Sequence, residues 1–339
     1  MPRAVVLVVL LVSTACTAAP PAPEAARTQA ASSSSGAPAG ATLSPRATPH
    51  PVSLPALIEQ RFDGGTLRLG RVLGRNSAYT RRSITYESGG LTISGIMNVP
   101  SGDRRFPLLI LNHGYIDPDV YMTGQGLRRE QDYLARRGFV VLHTDYRNHA
   151  QSDDDPRADL ELRMGYAEDA VNAALAVREA GLPFVDDDRI GMVGRSMGGA
   201  VSMKAAIARP DLFDAVVLFA SVSSNAADNY NRWIRRDRSR SGIARRIERA
   251  WGAPEDNPAF WAAASPQNFF DRLTMPVILH HGTNDDTCPI VWSQRTVTAM
   301  RRAGVDARLH TYEGEGHAFG PQWPASMRRT VSFLRRHLA

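Results

Sequence analysis

Three separated stretches of this 339-residue chain carry side chains that together could transfer an acyl group. The first is Gly194-Arg195-Ser196-Met197-Gly198-Gly199, which follows the apolar run 190–193 and precedes an alanine-rich helical stretch. Strand, sharp turn, helix is the setting in which Gly-x-Ser-x-Gly exposes a serine hydroxyl at the carboxyl end of a strand. Neighbours without side chains let strand and helix close around a strained serine. A serine hydroxyl is a poor nucleophile at neutral pH and needs a base to take its proton. The second stretch, Tyr312-Glu313-Gly314-Glu315-Gly316-His317-Ala318-Phe319, offers His317 in a glycine-rich loop after the last expected strand. The other histidines are placed less well. His143, His280 and His310 fall in strand-like runs and read as satisfied core residues. His337 falls in the closing helix, His50 in the N-terminal tract, and His149 in a polar loop.

A buried carboxylate must fix the tautomer of such a base and stabilise its imidazolium. The third stretch, His281-Gly282-Thr283-Asn284-Asp285-Asp286-Thr287-Cys288-Pro289, supplies two adjacent candidates, Asp285 and Asp286, between which periodicity does not choose. Charge developing on the substrate oxygen needs donors, each worth roughly 3–4 kcal/mol in comparable chemistry. The Met197 N–H is one by position. The Tyr115 N–H, with its phenol as an addition, is the choice for the second, in the turn Asn112-His113-Gly114-Tyr115 after the apolar run 106–111.

Such a site requires strands that end together. Residues 83–87 and 91–97 alternate around Ser88-Gly89-Gly90, a β-hairpin signal, after a short strand region at 66–73. Beyond residue 106 apolar strand runs and helical patterns alternate, which predicts an α/β architecture: a mostly parallel sheet of eight strands with an antiparallel N-terminal hairpin and helices on both faces. One segment, about 222–272, is too long for an ordinary connection and is expected as a cap inserted between strands 6 and 7. It holds Tyr230, Trp233, Trp251, Phe260, Trp261, Phe269 and Phe270, with Arg232, Arg235, Arg236, Arg238, Arg240, Arg245, Arg246 and Arg249. It reads equally as a substrate roof or as an aromatic packing layer with a solvated arginine face.

Residues 1–16 form a charged start and a short apolar run, too short to span a membrane and sized as a signal-peptide core. Ser13-Thr14-Ala15-Cys16 resembles a lipobox, making Cys16 the expected lipidation site and membrane anchor; cleavage near Thr17-Ala18-Ala19 would instead release a secreted protein. A bacterial exported protein is expected either way. Residues 17–54, rich in Ala, Pro, Ser and Thr, read as a disordered tether ahead of a catalytic domain spanning 55–339. The formal charge of +6 comes from scattered arginines with a single lysine, Lys204, which argues against nucleic-acid binding. Two cysteines imply no disulfide framework, and no ligand cluster implies a metal or other cofactor.

Over about residues 82–339 the chain resembles the α/β-hydrolase catalytic domain of the prolyl oligopeptidase family and its dienelactone-hydrolase-like relatives. The resemblance is carried by His113-Gly114, Asp145-Tyr146-Arg147, Gly194-Arg195-Ser196-Met197-Gly198-Gly199, His281-Gly282-Thr283-Asn284-Asp285 and Glu315-Gly316-His317-Ala318-Phe319. It implies a serine hydrolase with the chain order serine, acid, histidine. Its His-Gly-x-x-Asp motif implies Asp285 as the acid, leaving Asp286 a loop residue. Serine at 196 departs from the cysteine nucleophile of dienelactone hydrolases. Two further departures bear on substrate: the ordered residues before 82 leave no room for the family's N-terminal propeller, and Asn148-His149-Ala150-Gln151-Ser152-Asp153-Asp154-Asp155 replaces a glycine-serine run. The three aspartates read as a solvated acidic loop. The substrate is expected to be a small ester or a short peptide, with a non-catalytic binding protein as the remote rival.

Overall fold

The computed structural model describes residues 48–338. The expected signal segment, Cys16 and most of the tether lie outside the described residues. The chain runs α1 (Leu54–Glu59), β1 (Arg68–Arg75), β2 (Tyr79–Ser88), β3 (Leu91–Pro100), β4 (Phe106–Asn112), α2 (Arg128–Ala135) and β5 (Val140–Thr144). It continues through α3 (Met164–Ala180), β6 (Val185–Arg195), α4 (Met197–Ala208) and β7 (Ala215–Phe219). The insertion holds α5 (Ala226–Tyr230), α6 (Ser241–Trp251) and α7 (Pro258–Ala263), and the fold closes with β8 (Val277–Gly282), α8 (Ile290–Arg302), β9 (Ala307–Tyr312) and α9 (Trp323–His337).

The strands form one sheet in the order β1-β2-β3-β5-β4-β6-β7-β8-β9. β1 to β3 pair antiparallel, as does β3 with β5; from β5 to β9 every pairing is parallel. Gly89 and Gly90 both adopt positive φ, the geometry that a two-residue hairpin turn demands. β4 is buried along its whole length, as a continuous apolar run in a two-sided parallel sheet should be. Leu108 and Ile110 face a core completed by α3, α4 and α8, while Leu109 and Leu111 face the opposite layer of α2 and α9. That alternation is the period of two of a strand, and it gives the sheet two cores.

The sheet has nine strands, not eight, so the insertion falls between β7 and β8. The added strand, β1, is exposed throughout and pairs with β2 through a register broken at Leu69/Val72 and Val72/Gly74. It overlaps the strand region expected at 66–73 and runs on to Arg75. The domain also begins earlier than residue 55. His50 packs edge-on against Trp251 and Phe260 at centroid distances of 4.7 and 5.0 Å, and Val52 is buried with Tyr230, Ile247 and Trp261. The end of the tract read as tether is thus docked on the insertion. Among the described residues no helix is long and apolar enough to cross a membrane.

Candidate active site

Ser196 sits at the corner between β6 and α4 with φ 56° and ψ −121°, a conformation that costs a side-chain-bearing residue about 1–3 kcal/mol. The surroundings hold it there. Its N–H donates to the Phe219 carbonyl at 2.9 Å, and its carbonyl accepts from the N–H groups of Gly199 and Val222. The flanking glycines are forced by contact: a Cβ on Gly194 would lie 2.3 Å from the Gly198 carbonyl oxygen, and one on Gly198 only 1.9 Å from that of Asn112. Arg195, between them, is fixed to the buried Glu130 of α2, which also accepts from Trp323 Nε1 at 2.7 Å.

His317 and Asp285 arrive from the loops after β9 and β8. His317 Nδ1 donates to Asp285 Oδ2 at 2.9 Å, while Asp285 Oδ1 accepts the N–H groups of Thr287 and Cys288 at 3.0 and 2.8 Å. His281 Nε2 lies 3.2 Å from the same Oδ2 and 2.8 Å from the Cys288 carbonyl, with Ser293 Oγ at 2.7 Å from its other nitrogen. Burial alone would raise the Asp285 carboxyl; hydrogen bonds from His281, His317 and the Cys288 N–H outweigh it and hold the carboxyl well below its usual range. Asp285 therefore stays anionic. Asp286 is exposed and bonds only the Thr287 hydroxyl through its side chain. Geometry makes the same choice between the two aspartates as the motif.

Ser196 and His317 line one chamber of about 380 Å³. The Ser196 hydroxyl turns toward Cys288 Sγ at 4.0 Å rather than bonding the imidazole. Catalytic contacts of this kind commonly tighten only around substrate. Burial, with the nearby Asp285 charge, pushes the Cys288 thiol up to about 12, so it remains protonated and is no rival nucleophile. Gly114 lies so close that a Cβ there would stand 3.1 Å from Ser196 Cβ, and Tyr115, next in the chain, lines the same chamber as Ser196. The Met197 N–H opens α4. The Tyr115 ring is half exposed between the guanidinium groups of Arg163 and Arg240, at 4.9 and 4.8 Å.

The insertion roofs this chamber with Tyr230, Trp233 and Ile234, whereas Trp251, Phe260 and Trp261 pack on one another. Tyr230 belongs to both sets, lining the chamber and packing against Trp261 at a centroid distance of 4.8 Å. Arg232 ties the roof to the acid loop through the carbonyls of Asp286 and Thr287 at 2.6 and 2.9 Å.

Other residues depart from the sequence reading. His280 is satisfied by Tyr312 and Thr330, but both ring nitrogens of the buried His143 lack a hydrogen-bond partner. The acidic loop is solvated at Asp153 and Asp154 but also braces the fold: Asp153 accepts the Thr92 N–H at 2.7 Å, and Asp155 joins Glu168 and Asp169 around the buried Arg147. His281, Glu315, Arg163 and Lys204 were not singled out for the site. Only His281 had a readable signal, four residues before Asp285. Glu315, buried, accepts the N–H groups of Gly320 and Gln322 and so braces the His317 loop, which Arg129 Nη2 also grips through the Ala318 carbonyl at 2.6 Å.

A sequence model described as the prolyl oligopeptidase family, peptidase S9, matches residues 125–339. An uncharacterized peptidase, YuxL, of Bacillus subtilis strain 168 is 25% identical over 241 residues, which cover 67% of this chain and 34% of that protein. The chain thus spans about a third of the length of that relative. Among solved structures, an acylaminoacyl peptidase of Pyrococcus horikoshii aligns with a TM-score of 0.62 at 20% identity, over 77% of this chain and 42% of that one. An acetyl xylan esterase from Paenibacillus sp. R4 aligns with a TM-score of 0.62 at 16% identity, over 84% of this chain and 92% of that one. These two likenesses carry the fold alone.

Proposed function

From the premise that this chain belongs to the prolyl oligopeptidase family, we propose that it is a serine hydrolase that cleaves ester or amide bonds of small substrates through an acyl-enzyme. The observation that carries this reading is the hydrogen bond from His317 Nδ1 to the buried, anionic Asp285, with Ser196 strained at the wall of the same chamber. His317 Nε2 takes the Ser196 proton as Oγ attacks the carbonyl carbon. The Met197 and Tyr115 N–H groups receive the negative charge that develops on the carbonyl oxygen. His317 then protonates the leaving alcohol or amine as the tetrahedral intermediate collapses. Water, activated by the same imidazole, releases the acyl group and restores the serine. Asp285 acts throughout by orienting the imidazole and stabilising its charged form. No step calls on a metal or organic cofactor. The same reading has the enzyme outside the cytoplasm, exported by residues 1–16 and either anchored through Cys16 or secreted; its support is the sequence alone.

The test is labelling with a fluorophosphonate probe, followed by turnover of p-nitrophenyl esters and aminoacyl anilides by wild type and Ser196→Ala. Labelling and turnover in the wild type, with a loss of about 10⁴-fold or more in the variant, is the expected result. Equal turnover by both proteins would sink the reading. The anilides separate an amide-cleaving enzyme from one confined to esters.

A further inference from the structure

Several charged side chains that the acyl-transfer chemistry does not use line the chamber: Asp159, Arg163, Asp237, Arg240 and Lys204. Lys204, the single lysine of the chain, lies on α4 eight residues beyond Ser196 and lines the chamber on the same helical face as Ala200. It is only 9% exposed. Among the described residues its ammonium has no carboxylate partner and donates instead to the Leu162 carbonyl at 3.1 Å. The carboxylates in the lining are engaged elsewhere. Asp159 accepts from Arg163 Nε at 2.8 Å, and Asp237 accepts from the backbone and hydroxyl of Ser239. A desolvated ammonium without a counter-ion is costly, and an apolar side chain would pack that face of α4 at less cost. A cation retained there is therefore poised to meet an anion that enters the chamber.

The catalytic chemistry and the helix geometry suggest where that anion would sit. His317 must protonate the leaving group, so the leaving group departs on the His317 side. The acyl half is then left the rest of the chamber, whose wall carries Ala200 and Lys204. An α-helix rises about 1.5 Å per residue and its side chains tilt toward its N-terminus. The Lys204 ammonium is thereby within reach of a carboxylate roughly two to four methylenes beyond a carbonyl held at Ser196.

We propose that Lys204 selects substrates whose acyl half carries a second carboxylate. This rests on the serine-hydrolase reading and adds its substrate class. The carboxylate can belong to a dicarboxylic acyl ester or to an acidic residue preceding a cleaved amide; the shared chemistry is an anion on the acyl side.

The experiment compares p-nitrophenyl butyrate with the mono-p-nitrophenyl esters of succinate, glutarate and adipate, using wild type, Lys204→Met and Lys204→Arg, each standardised by fluorophosphonate titration. The wild type is expected to favour at least one diacid ester over butyrate by about tenfold or more. Lys204→Met should erase that ratio, chiefly through KM, and Lys204→Arg should keep part of it. A wild type that turns over butyrate but handles all three diacid esters less well overturns the proposal, as does an unchanged ratio in Lys204→Met. Calorimetric binding of glutarate to Ser196→Ala gives a readout without turnover. If no ester is hydrolysed, the hydrolase reading fails; glutarate binding that is lost in the Ser196→Ala, Lys204→Met double variant would still uphold the anion site, and its absence would sink both.

Discussion

Asp285 divides its two oxygens between a loop and a histidine: Oδ1 accepts the N–H groups of Thr287 and Cys288, and Oδ2 accepts Nδ1 of His317 at 2.9 Å. The carboxylate is therefore locked by its own loop before it meets the imidazole. Asp285→Asn should keep the fold, because an amide oxygen can still accept from the two backbone groups, but present the wrong partner to His317. A fall in kcat of about 10⁴-fold on an activated ester is expected. Asp286→Ala should stay within about threefold of wild type, since its carboxylate bonds only the Thr287 hydroxyl. Comparable losses in both variants would contradict the assignment of the acid.

Ser196 stores strain that can be measured separately from its chemistry. At an ordinary position, replacing alanine by glycine costs up to about 1 kcal/mol through the greater freedom of the unfolded chain. At φ 56° and ψ −121° the order should reverse, with Ser196→Gly about 1 kcal/mol more stable than Ser196→Ala in denaturant titrations. Alanine as the more stable variant would mean that the corner is relaxed. Both proteins should be inactive, so the comparison isolates the backbone term.

Lys204 links the chamber to the pH dependence of stability. Burial and the Arg163 charge push its amine down to about 8 from an ordinary 10.5. Between these pH values the unfolded chain binds a proton at this amine that the native state does not, so this group's contribution to stability rises with pH across that window. Below about pH 8 both states are protonated and the full cost of the buried charge is present. Arg163, Asp159, Arg240, Asp237, Tyr115 and Tyr230 share the lining, so the effect is read as a difference between wild type and Lys204→Met. The variant's stability advantage should be largest near pH 7 and shrink toward pH 10. A difference that stays flat would show that the amine is solvated.

The candidate site was legible because each of its residues lies in a short motif at the end of a strand. Ser196, His317 and the Asp285–Asp286 pair are marked by neighbouring glycines and by apolar runs, both written locally. The strand region at 66–73 was legible but its extent to Arg75 was not, since β1 buries neither face; nor was the docking of His50 and Val52, which depends on aromatic residues some two hundred positions later. Glu315 reads as one acid in a polar loop; only the folded loop aims its carboxylate at the Gly320 and Gln322 N–H groups.

Sequence alone pointed to a candidate nucleophile, a candidate base, a pair of candidate acids and the alternating strands and helices that carry them, because glycine spacing and hydrophobic period are properties of adjacent residues. Tertiary structure decided what those groups face. It turned Asp285 inward and left Asp286 exposed, placed Cys288 beside Ser196, and set the lone Lys204 inside the chamber without a carboxylate partner. Those outcomes depend on which distant loops close over a site, and no local pattern encodes the electrostatic environment that such closure creates.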